Sequence, residues 1–388
     1  MTGGGSGGHI TPILAVAHEL KQRNPKIEII YVGQTGDKLA DLPANSSDID
    51  VVYSVSAGKL RRYADESALQ RLLDVRTQLL NIRDAFRIVR GLWQSYWLLR
   101  RLRPDVIFSR GGFVSVPVTL GGHLSGIPYV THDSDSVPSL ANRLIARWAH
   151  THAVALPVEM YPYPAAKTVQ VGVPVSDKYQ PITPALQKQY REALGLEYKQ
   201  VVLLTGGGHG AGALNEALVA NAQYLLDTFP GLAIVHVAGR AHEIAVGAKY
   251  DALRLGAARR RVQVIGFTGE LYLYSGAADV VVSRSGATTL AEFAAQGLAC
   301  IVVPAAQLGW DVKNAQALAD RDAVVKLSGE QLEQPERLGR TIGTLLGDES
   351  YRTALAHTFA SYARPHAAAE LADLLINIGG ERHVQSKK

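Results

Sequence analysis

The sequence contains a single cysteine, Cys300, and no apolar run close to the ~18 residues that a membrane-spanning helix needs. One cysteine cannot build a disulfide framework, which indicates a reducing compartment. We also find no signal-peptide pattern before Gly3. We therefore expect a cytoplasmic protein that is stabilised by packed cores rather than by disulfides.

Two chemical signatures are also missing. No group of histidine, cysteine and aspartate residues has the spacing of metal ligands, and the Gly-x-Ser-x-Gly turn of a serine nucleophile is not found. These absences disfavour a metal-dependent mechanism and an acyl-enzyme mechanism. We expect a protein that uses no metal and no cofactor.

A third absence concerns the glycine loops. The segments Gly3–Gly8 and Gly206–Ala211 both match the glycine fingerprint of dinucleotide-binding folds, which is a weak signal alone. That fingerprint expects an acidic residue ~20 positions further on, at the end of the next strand, to bind ribose. The corresponding strands end at Gln34 and Arg240 instead. An NAD-dependent enzyme is therefore disfavoured, whereas two glycine loops in two domains suit one ligand held between them.

The composition is that of an ordinary globular protein, with 47% hydrophobic and 19% charged residues in a chain of 388. At ~150 residues per domain, this length allows two domains. The net charge of +5 is mild. It permits anionic ligands or an anionic membrane surface, and we expect no nucleic-acid partner.

Short apolar strands alternate with helical segments along the chain, which predicts an α/β fold with parallel, doubly wound sheets. The pattern restarts near Val171, after a proline-rich segment from Pro157 to Pro174. We predict an N-terminal domain over residues 1–160, a C-terminal domain over residues 170–350, and a helical tail over residues 351–388 that packs back on the first domain. We expect two Rossmann-like domains that face each other across a cleft.

The start of the chain is unusual. A phosphate-type glycine turn needs a strand before it, yet only Met1 and Thr2 precede the first loop. Either the first strand is absent or the natural start lies upstream, and we expect the second.

The stretch Ser283–Glu292 follows an apolar run and opens a helical pattern. A strand, a turn of small residues and a helix start together present backbone N–H groups and hydroxyls at the positive end of a helix. This arrangement suits an anion, above all a phosphate. Glu292 lies further into the helix, where a carboxylate could bridge neighbouring hydroxyl groups.

Residues 57–103 carry many arginines with leucines and aromatic residues between them. A basic, aromatic-rich amphipathic helix is typical of a patch that binds a membrane surface. The alternative is a core helix with a solvated basic face, and the pattern alone favours neither interpretation.

Two further segments carry candidate chemistry. His9 lies where the first glycine loop becomes a helix, and it is either a polar helix-start residue or a general base, because imidazole titrates near neutral pH. The segment His132–Asp135 follows a strand end, where open α/β sheets contact ligands. Helix capping would explain one or two of its residues, but not all four.

Together these motifs resemble the MurG family, the UDP-N-acetylglucosamine transferases of GT-B fold that make lipid II in peptidoglycan synthesis. The resemblance extends over nearly the whole chain. It rests on segments that occur in the family's order, namely Gly4–Pro12, Gly111–Ser115, Gly206–Asn215, Phe267–Leu271, Ser283–Glu292 and Asp311–Ala315.

The resemblance implies an inverting, metal-independent transfer of N-acetylglucosamine (GlcNAc) from UDP-GlcNAc to the C4 hydroxyl of a muramyl-pentapeptide on a polyprenyl diphosphate. It implies that the C-terminal domain binds the donor, that the N-terminal domain binds the acceptor, and that His9 deprotonates the acceptor hydroxyl. Residues 57–103 would then dock peripherally on the cytoplasmic face of the cell membrane.

The resemblance also implies a set of binding residues. The backbone around Thr268 would read uracil, Glu292 would bond to the ribose hydroxyls, and the turn Ser285–Thr289 would hold the diphosphate. The implied donor residues are Gly208, Thr268, Ser285, Gly286, Ala287, Thr288, Thr289, Leu290, Ala291, Glu292, Asp311 and Ser176. The implied residues for the acceptor and its diphosphate are Ser6, Gly7, Gly8, Gly111, Gly112, Ser115 and Asp135.

The chain departs from the family pattern near the donor sugar and the diphosphates. Where the family has His-Glu-Gln-Asn, this chain has His132–Asp135, and where the family has His-Gln before Lys-Asn-Ala, it has Trp310-Asp311. The family's Ser-Gln in the segment that corresponds to Gly206–Asn215 is Gly208-His209 here. Ser176 stands where the family has an arginine. Asp311 can accept hydrogen bonds from sugar hydroxyls but cannot donate them. These changes bear on which sugar is transferred, and they leave the uracil and ribose contacts as expected.

Two alternative functions remain open at this stage. A UDP-GlcNAc 2-epimerase has the same fold and binds the same nucleotide, but it gives no reason for a basic amphipathic helix. A non-catalytic sugar-nucleotide-binding protein would agree with the missing first strand and the changed sugar contacts.

Overall fold

The structure is a computed structural model that describes residues 1–59, 75–135, 137–206 and 212–385. Gly208 of the predicted donor site and residues 60–74 of the basic region lie outside these ranges. The chain divides into two compact units, of which the first comprises Met1–Pro174 and the segment that begins at His366. The second unit is Val175–Pro365.

Each unit is an α/β structure. The strands of the first unit are β1 (Ile30–Gln34), β2 (Val51–Val55), β3 (Ile107–Ser109), β4 (Tyr129–Asp133), β5 (Thr151–Val154) and β6 (Thr168–Gln170). Its helices are α1 (Gly7–Arg23), α2 (Asp41–Ala44), α3 (Val75–Leu102), α4 (Ser115–Leu124), α5 (Leu140–Ile145) and, from the end of the chain, α15 (Ala367–Gln385).

The second unit repeats the alternation of strands and helices. Its strands are β7 (Gln200–Thr205), β8 (Leu232–Val237), β9 (Val262–Ile265), β10 (Val280–Ser283), β11 (Cys300–Val302) and β12 (Val325–Lys326). Its helices are α6 (Pro184–Leu194), α7 (Gly212–Thr228), α8 (Glu243–Ala252), α9 (Leu271–Ala277), α10 (Ala287–Gln296), α11 (Gly309–Ala319), α12 (Gly329–Glu333), α13 (Arg337–Gly347) and α14 (Glu349–Ala360).

The backbone of Met1 and Thr2 lies between β1 and β3. The Val32 N–H donates to the Met1 carbonyl at 2.9 Å, and the Thr2 N–H donates to the Phe108 carbonyl at 2.8 Å. Thr2 also forms parallel bridges to both Val32 and Ser109. These two residues therefore occupy the strand position before the first glycine loop. The strand order reverses here, so the loop lies at a switch point, where open α/β sheets bind ligands.

The sheet of the second unit has the order β12-β11-β10-β7-β8-β9, and its paired strands are parallel. β7 has β10 on one side and β8 on the other, so the switch point lies between β7 and β10. Thr205, at the end of β7, is directly opposite Ser283, at the end of β10. The chain that follows Thr205 and the stretch Ser283–Glu292 therefore leave the sheet from neighbouring strand ends.

The strands at the centre of both sheets are buried along most of their length, as in β4, β5, β8 and β10. Parallel strands that helices cover on both faces are continuous apolar runs rather than alternating ones. This is why the runs Val201–Leu204 and Val280–Val282 could be recognised as strands from sequence. They contribute to the two clusters of buried residues in the second unit.

The end of the chain differs from the predicted tail over residues 351–388. α14, up to Ala360, packs on α10 and belongs to the second unit, and only the chain from His366 belongs to the first. There α15 packs on α1, with Leu371 and Ala372 in the same buried cluster as Ile13. The tail boundary was predicted too early because α14 carries no sequence signal for the sheet that it covers.

No helix in the described part of the chain is long and apolar enough to cross a membrane. Nor do those residues include a group of three or more histidine, cysteine, aspartate or glutamate side chains that could hold a metal ion.

Candidate functional site

The first glycine loop leads directly into α1, which begins at Gly7. Ser6 is the extended residue before the helix, and its side chain makes no capping hydrogen bond. Gly5 has a φ of +80°, which favours glycine, and its N–H donates to Asp37 Oδ2 at 2.8 Å. Asp37 thus helps to shape the loop. The turn places Ser6, Gly7 and Gly8 at the positive end of a 17-residue helix, a suitable position for an anion.

The predicted acceptor segment Gly111–Ser115 contacts the first glycine loop. Gly111 and Gly112 have φ values of +87° and +86°. A Cβ atom on Gly112 would lie 2.8 Å from the Gly4 carbonyl oxygen, so the two loops approach as closely as backbone allows. The side chain of Ser115 is buried, and its hydroxyl donates to the Gly111 carbonyl at 2.6 Å. That hydroxyl therefore supports the turn.

His9 is half-buried on the first turn of α1. Its Nδ1 lies 3.0 Å from the Arg110 carbonyl oxygen. A carbonyl only accepts hydrogen bonds, so Nδ1 carries the proton and donates. In the neutral imidazole Nε2 then holds the lone pair. This is the tautomer that a general base at Nε2 requires.

A buried charged cluster lies behind these loops, at the ends of β3 and β4. Arg110 is 5% exposed, and its guanidinium donates to the Ser134 hydroxyl and to the His132 carbonyl. Burial lowers the pKa of Arg110, and the nearby Asp135 and Asp133 oppose this shift. Asp135 is partly exposed. The cluster therefore places the Arg110 guanidinium, with Asp133 and Asp135 near it, beneath the predicted acceptor loops.

Asp133 is the second charged member of that cluster. The Tyr163 hydroxyl donates to one carboxylate oxygen at 2.7 Å, and the Asn142 amide and Ser139 N–H donate to the other. Burial raises the pKa of Asp133, and these hydrogen bonds oppose the shift. His132 is also buried, with Nε2 bonded to the Gly172 carbonyl. Within the predicted segment His132–Asp135, only Asp135 is exposed enough to meet a ligand.

In the second unit, the turn after β10 leads into α10 with Gly286 as the residue before the helix. Gly286 to Thr289 line the helix start and are partly exposed, whereas Ser285 and the Leu290 side chain are buried. The Ser285 hydroxyl donates to the Asp311 carbonyl at 2.8 Å. The Leu290 N–H donates to the Gly286 carbonyl at 3.0 Å, within the first turn of the helix. The turn itself presents the positive end of α10, as the sequence predicts.

Asp311 lies at the start of α11, where the resemblance implies a sugar contact. Its carboxylate is almost fully buried and accepts a hydrogen bond from Arg284 Nη2 at 2.7 Å. Sequence reasoning missed this partner. The buried Asp311 carboxylate is thus paired with a cation.

Glu292, on the second turn of α10, is 7% exposed. Burial raises the pKa of this carboxyl group to about 8, and a hydrogen bond from the Tyr179 side chain acts in the opposite direction. At neutral pH the group is therefore mostly protonated. No cation among the residues that the structure describes forms an ion pair with Glu292, and an unpaired buried glutamate is costly to the fold. Carboxyl groups with such strongly shifted pKa values are concentrated at functional sites.

The other predicted donor residues are more exposed. Thr268 follows β9, and its hydroxyl accepts a hydrogen bond from the Glu270 N–H at 3.0 Å. The Arg240 guanidinium lies 4.2 Å from the ring centroid of Phe267, the residue before Thr268. Ser176 bonds to its neighbour Asp177 at 3.2 Å. Ala291 is partly exposed beside Glu292.

The residues that sequence reasoning missed share one position. Arg110 and Arg284 each follow the serine that ends a buried strand, and each precedes a glycine turn: Ser109-Arg110-Gly111-Gly112 and Ser283-Arg284-Ser285-Gly286. A cation at both of these strand ends was visible in the sequence. The buried hydrogen-bond partners, Ser134 for Arg110 and Asp311 for Arg284, were not.

Comparison with known proteins defines the class of this chain. The glycosyltransferase family 28 N-terminal domain matches residues 1–154, and the glycosyltransferase family 28 C-terminal domain matches residues 201–371. Together with the two α/β units, these matches describe a glycosyltransferase with the two-domain GT-B fold.

Individual relatives narrow this class. The UDP-N-acetylglucosamine--N-acetylmuramyl-(pentapeptide) pyrophosphoryl-undecaprenol N-acetylglucosamine transferase of Symbiobacterium thermophilum is 31% identical over 97% of this chain and 95% of its own. The crystal structure of Acinetobacter baumannii MurG matches with a TM-score of 0.68 and 25% identity, covering 97% of this chain and 98% of that one. The chain belongs to the MurG family.

One structural neighbour bears on the epimerase alternative. A putative UDP-N-acetylglucosamine 2-epimerase from Listeria monocytogenes matches with a TM-score of 0.64 over 95% of this chain and 93% of its own, but at 10% identity. That likeness shows the fold alone.

Proposed function

We propose that this protein transfers GlcNAc from UDP-GlcNAc to the C4 hydroxyl of a muramyl-pentapeptide carried on a polyprenyl diphosphate, which converts lipid I to lipid II in peptidoglycan synthesis. The observation that carries the proposal is the repeated placement of an anion-binding helix start at a sheet switch point, once in each unit. The reaction needs two such sites, because donor and acceptor each carry a diphosphate.

The second unit takes the donor in this proposal. The positive end of α10, from Gly286 to Thr289, holds the UDP diphosphate. Glu292 bonds to the ribose hydroxyls, and the backbone around Thr268 reads uracil. Gly208 and Ser176 belong to the same donor site. Asp311, held by Arg284, accepts hydrogen bonds from hydroxyls of the sugar.

The first unit takes the acceptor and supplies the base. Ser6 to Gly8, with Gly111 and Gly112, bind the acceptor diphosphate, and Asp135 lies at the edge of this site. His9 Nε2 removes the proton of the C4 hydroxyl as its oxygen forms a bond to the anomeric carbon. The bond from that carbon to the UDP oxygen breaks on the opposite face, which inverts the configuration. The hydrogen bond from Nδ1 to the Arg110 carbonyl stabilises the imidazolium that forms.

The test of the function is a transfer assay. The protein is incubated with radiolabelled UDP-GlcNAc and lipid I, and the lipid fraction is separated. We expect labelled lipid II and stoichiometric UDP, and a much lower rate with UDP-GalNAc. UDP binding without labelled lipid would reject the transferase, and conversion of UDP-GlcNAc to the 2-epimer would support the epimerase instead.

The basic helix α3 supports a membrane-docking role. Six of its apolar side chains, Leu79, Ile82, Phe86, Val89, Trp93 and Trp97, recur three or four residues apart, so they share one face, and each is between 55% and 72% exposed. The alternative interpretation of α3 as a core helix required these side chains to be buried, and they are exposed. The only acid of α3, Asp84, is buried. An exposed apolar stripe flanked by arginines suits an anionic lipid surface. We therefore propose a peripheral enzyme on the cytoplasmic face of the cell membrane.

The membrane proposal predicts the effect of shortening this stripe. Replacing both Trp93 and Trp97 by alanine is expected to weaken binding to vesicles that contain phosphatidylglycerol by 10-fold or more, because each indole contributes a large buried area at the interface. Co-sedimentation with vesicles measures the effect. The control is Ile244→Ala, which removes an 89% exposed apolar residue from α8. Equal binding by the double variant and the wild type would contradict the proposal.

A further inference from the structure

A tyrosine that no motif singled out contacts the buried glutamate of the donor site. Tyr179 lies in the segment between Pro174 and α6, within the second unit. Its side chain is the hydrogen-bond partner of the Glu292 carboxyl group. Among the described residues, no cation or other side chain is bonded to Glu292. The orientation of that carboxyl group in the fold therefore depends on Tyr179.

The surroundings of Tyr179 hold it in place. Its ring meets the ring of Tyr272 edge to face, with centroids 6.1 Å apart at 70°. Lys178 Nζ lies over Tyr272 at 5.5 Å from the centroid. The Tyr179 N–H donates to the Ser176 carbonyl at 3.0 Å, which closes a turn. An aromatic side chain fixed on both its ring and its backbone has few rotamers left to lose when it supports a ligand contact.

The end of this segment is tied to α10 itself. The Ile182 N–H donates to the Gln296 carbonyl at 3.0 Å, and the Gln296 amide donates to the Tyr272 carbonyl at 2.8 Å. Glu292 and Gln296 are one helical turn apart. The same helix thus carries the carboxyl group and anchors the segment that supplies its partner. This is the arrangement expected of a support that sets the direction of a side chain.

The protonation states of Tyr179 and Glu292 determine which group donates the hydrogen bond between them. Burial, followed by the charge of Glu292, raises the pKa of Tyr179 well above its ordinary value. The phenol therefore keeps its proton and donates to the carboxyl oxygen. A protonated carboxyl group has one O–H donor and keeps acceptor sites on its two oxygens. One hydrogen bond from Tyr179 therefore leaves further acceptor sites and the O–H donor for the hydroxyls of a ribose.

We propose that Tyr179 is a positioning residue for the nucleotide, which holds Glu292 so that its remaining lone pairs face the 2′- and 3′-hydroxyls of the UDP ribose. The inference rests on the donor role proposed for Glu292. It adds a second residue, from a segment outside the glycine turns, to the recognition of a ribonucleotide over a deoxyribonucleotide.

The experiment compares UDP with 2′-deoxy-UDP. Dissociation constants for both are measured by calorimetry for the wild type, Tyr179→Phe, Glu292→Gln and Tyr274→Phe. Tyr274 is the control, because it is a partly buried tyrosine on α9 in the same cluster and makes no bond to Glu292. Thermal unfolding of each variant shows that it is folded.

We expect Tyr179→Phe to weaken UDP binding about 5-fold or more, the effect of one hydrogen bond to a charged or ionisable group. Binding of 2′-deoxy-UDP should change less than about 2-fold, so that the preference for the ribonucleotide shrinks. Tyr274→Phe should leave both constants and their ratio unchanged. A role in packing alone would weaken both ligands equally.

Three results overturn the inference, and they are distinguishable. An unchanged ratio in Tyr179→Phe, with the ratio lost in Glu292→Gln, removes Tyr179 and keeps the ribose role of Glu292. Tighter UDP binding by Tyr179→Phe means that the tyrosine competes with the nucleotide. An unchanged ratio in Glu292→Gln removes the ribose assignment and the positioning role together.

Discussion

Replacing His9 by alanine is expected to lower the turnover of GlcNAc transfer by about 10²–10⁴-fold, the usual contribution of a positioned general base. The affinity for UDP should change by less than about 2-fold, because the donor diphosphate is assigned to the second unit. The physical reason is the Nδ1 bond to the Arg110 carbonyl, which leaves Nε2 as the basic nitrogen. Steady-state kinetics with lipid I, together with UDP calorimetry, measure the two quantities.

The matched control for this variant is His18→Ala. His18 is on the same helix, is partly exposed and pairs with Asp48 at 3.1 Å, away from the glycine loop. Its removal should leave turnover unchanged. Parallel loss of turnover and UDP affinity in His9→Ala would argue that the imidazole only supports the start of α1.

Replacing Glu292 by glutamine is expected to stabilise the fold at pH 8 while it weakens nucleotide binding. The pKa of this carboxyl is raised from 4.5 to about 8 in the folded protein, because the group is buried. Below the pKa that Glu292 has in the unfolded state, both states are protonated, and proton linkage at this group does not change the free energy of unfolding. As pH rises towards 8, the unfolded state loses a proton that the folded state retains, so wild-type stability falls by about 1.4 kcal/mol per pH unit.

The glutamine variant lacks this pH dependence. The proton linkage amounts to about 4 kcal/mol at pH 8, where the folded group is half ionised, and an amide N–H left without a partner offsets about 1–3 kcal/mol of it. We therefore expect a gain of about 1–3 kcal/mol in the free energy of unfolding at pH 8, and almost no linkage gain near pH 4.5. UDP affinity should fall roughly 10-fold or more, since the amide replaces one carboxyl oxygen by an NH₂ group that cannot accept a hydrogen bond from a ribose hydroxyl.

Thermal or denaturant unfolding at both pH values measures the stability, and calorimetry measures the affinity. Glu197→Gln is the control, because Glu197 is exposed in the same unit. The stability difference between wild type and Glu292→Gln must grow with pH between 4.5 and 8. A stability difference that does not change with pH would mean that Glu292 is ionised in the folded protein. Its burial would then not destabilise the fold, and the prediction would be wrong.

Much of the architecture could be predicted from the chain. Runs such as Val201–Leu204 mark buried parallel strands because both faces of such a sheet are covered by helices. Glycines followed by helical patterns mark anion-binding turns, since only glycine adopts the φ of +86° at Gly112 without strain. The membrane-type pattern of residues 57–103 could also be recognised, but whether its apolar face was covered could not. Only packing decides that, and it leaves Trp93 and Trp97 exposed.

The strand before the first glycine loop also could not be predicted from the sequence. Two residues before a glycine loop have no strand pattern, so the sequence left two alternatives, an absent first strand or a natural start further upstream, and we expected the second. In the folded sheet, Met1 and Thr2 fill the position between β1 and β3 through backbone hydrogen bonds, to which the Thr2 hydroxyl adds one to the Val32 carbonyl. Main-chain groups make the backbone bonds whatever the side chain is, so no residue type at positions 1 and 2 could have indicated this strand pairing.

The sequence by itself determined the two α/β units, the glycine turns that open them and the position of His9 at a helix start. Periodicity and turn chemistry are local, so they can be read from neighbouring residues. Only the tertiary structure decided the pairs Arg284–Asp311 and Tyr179–Glu292, whose members are far apart in the chain. A buried carboxyl group takes its charge state from whatever the fold brings beside it, and for Glu292 that is a tyrosine rather than a cation.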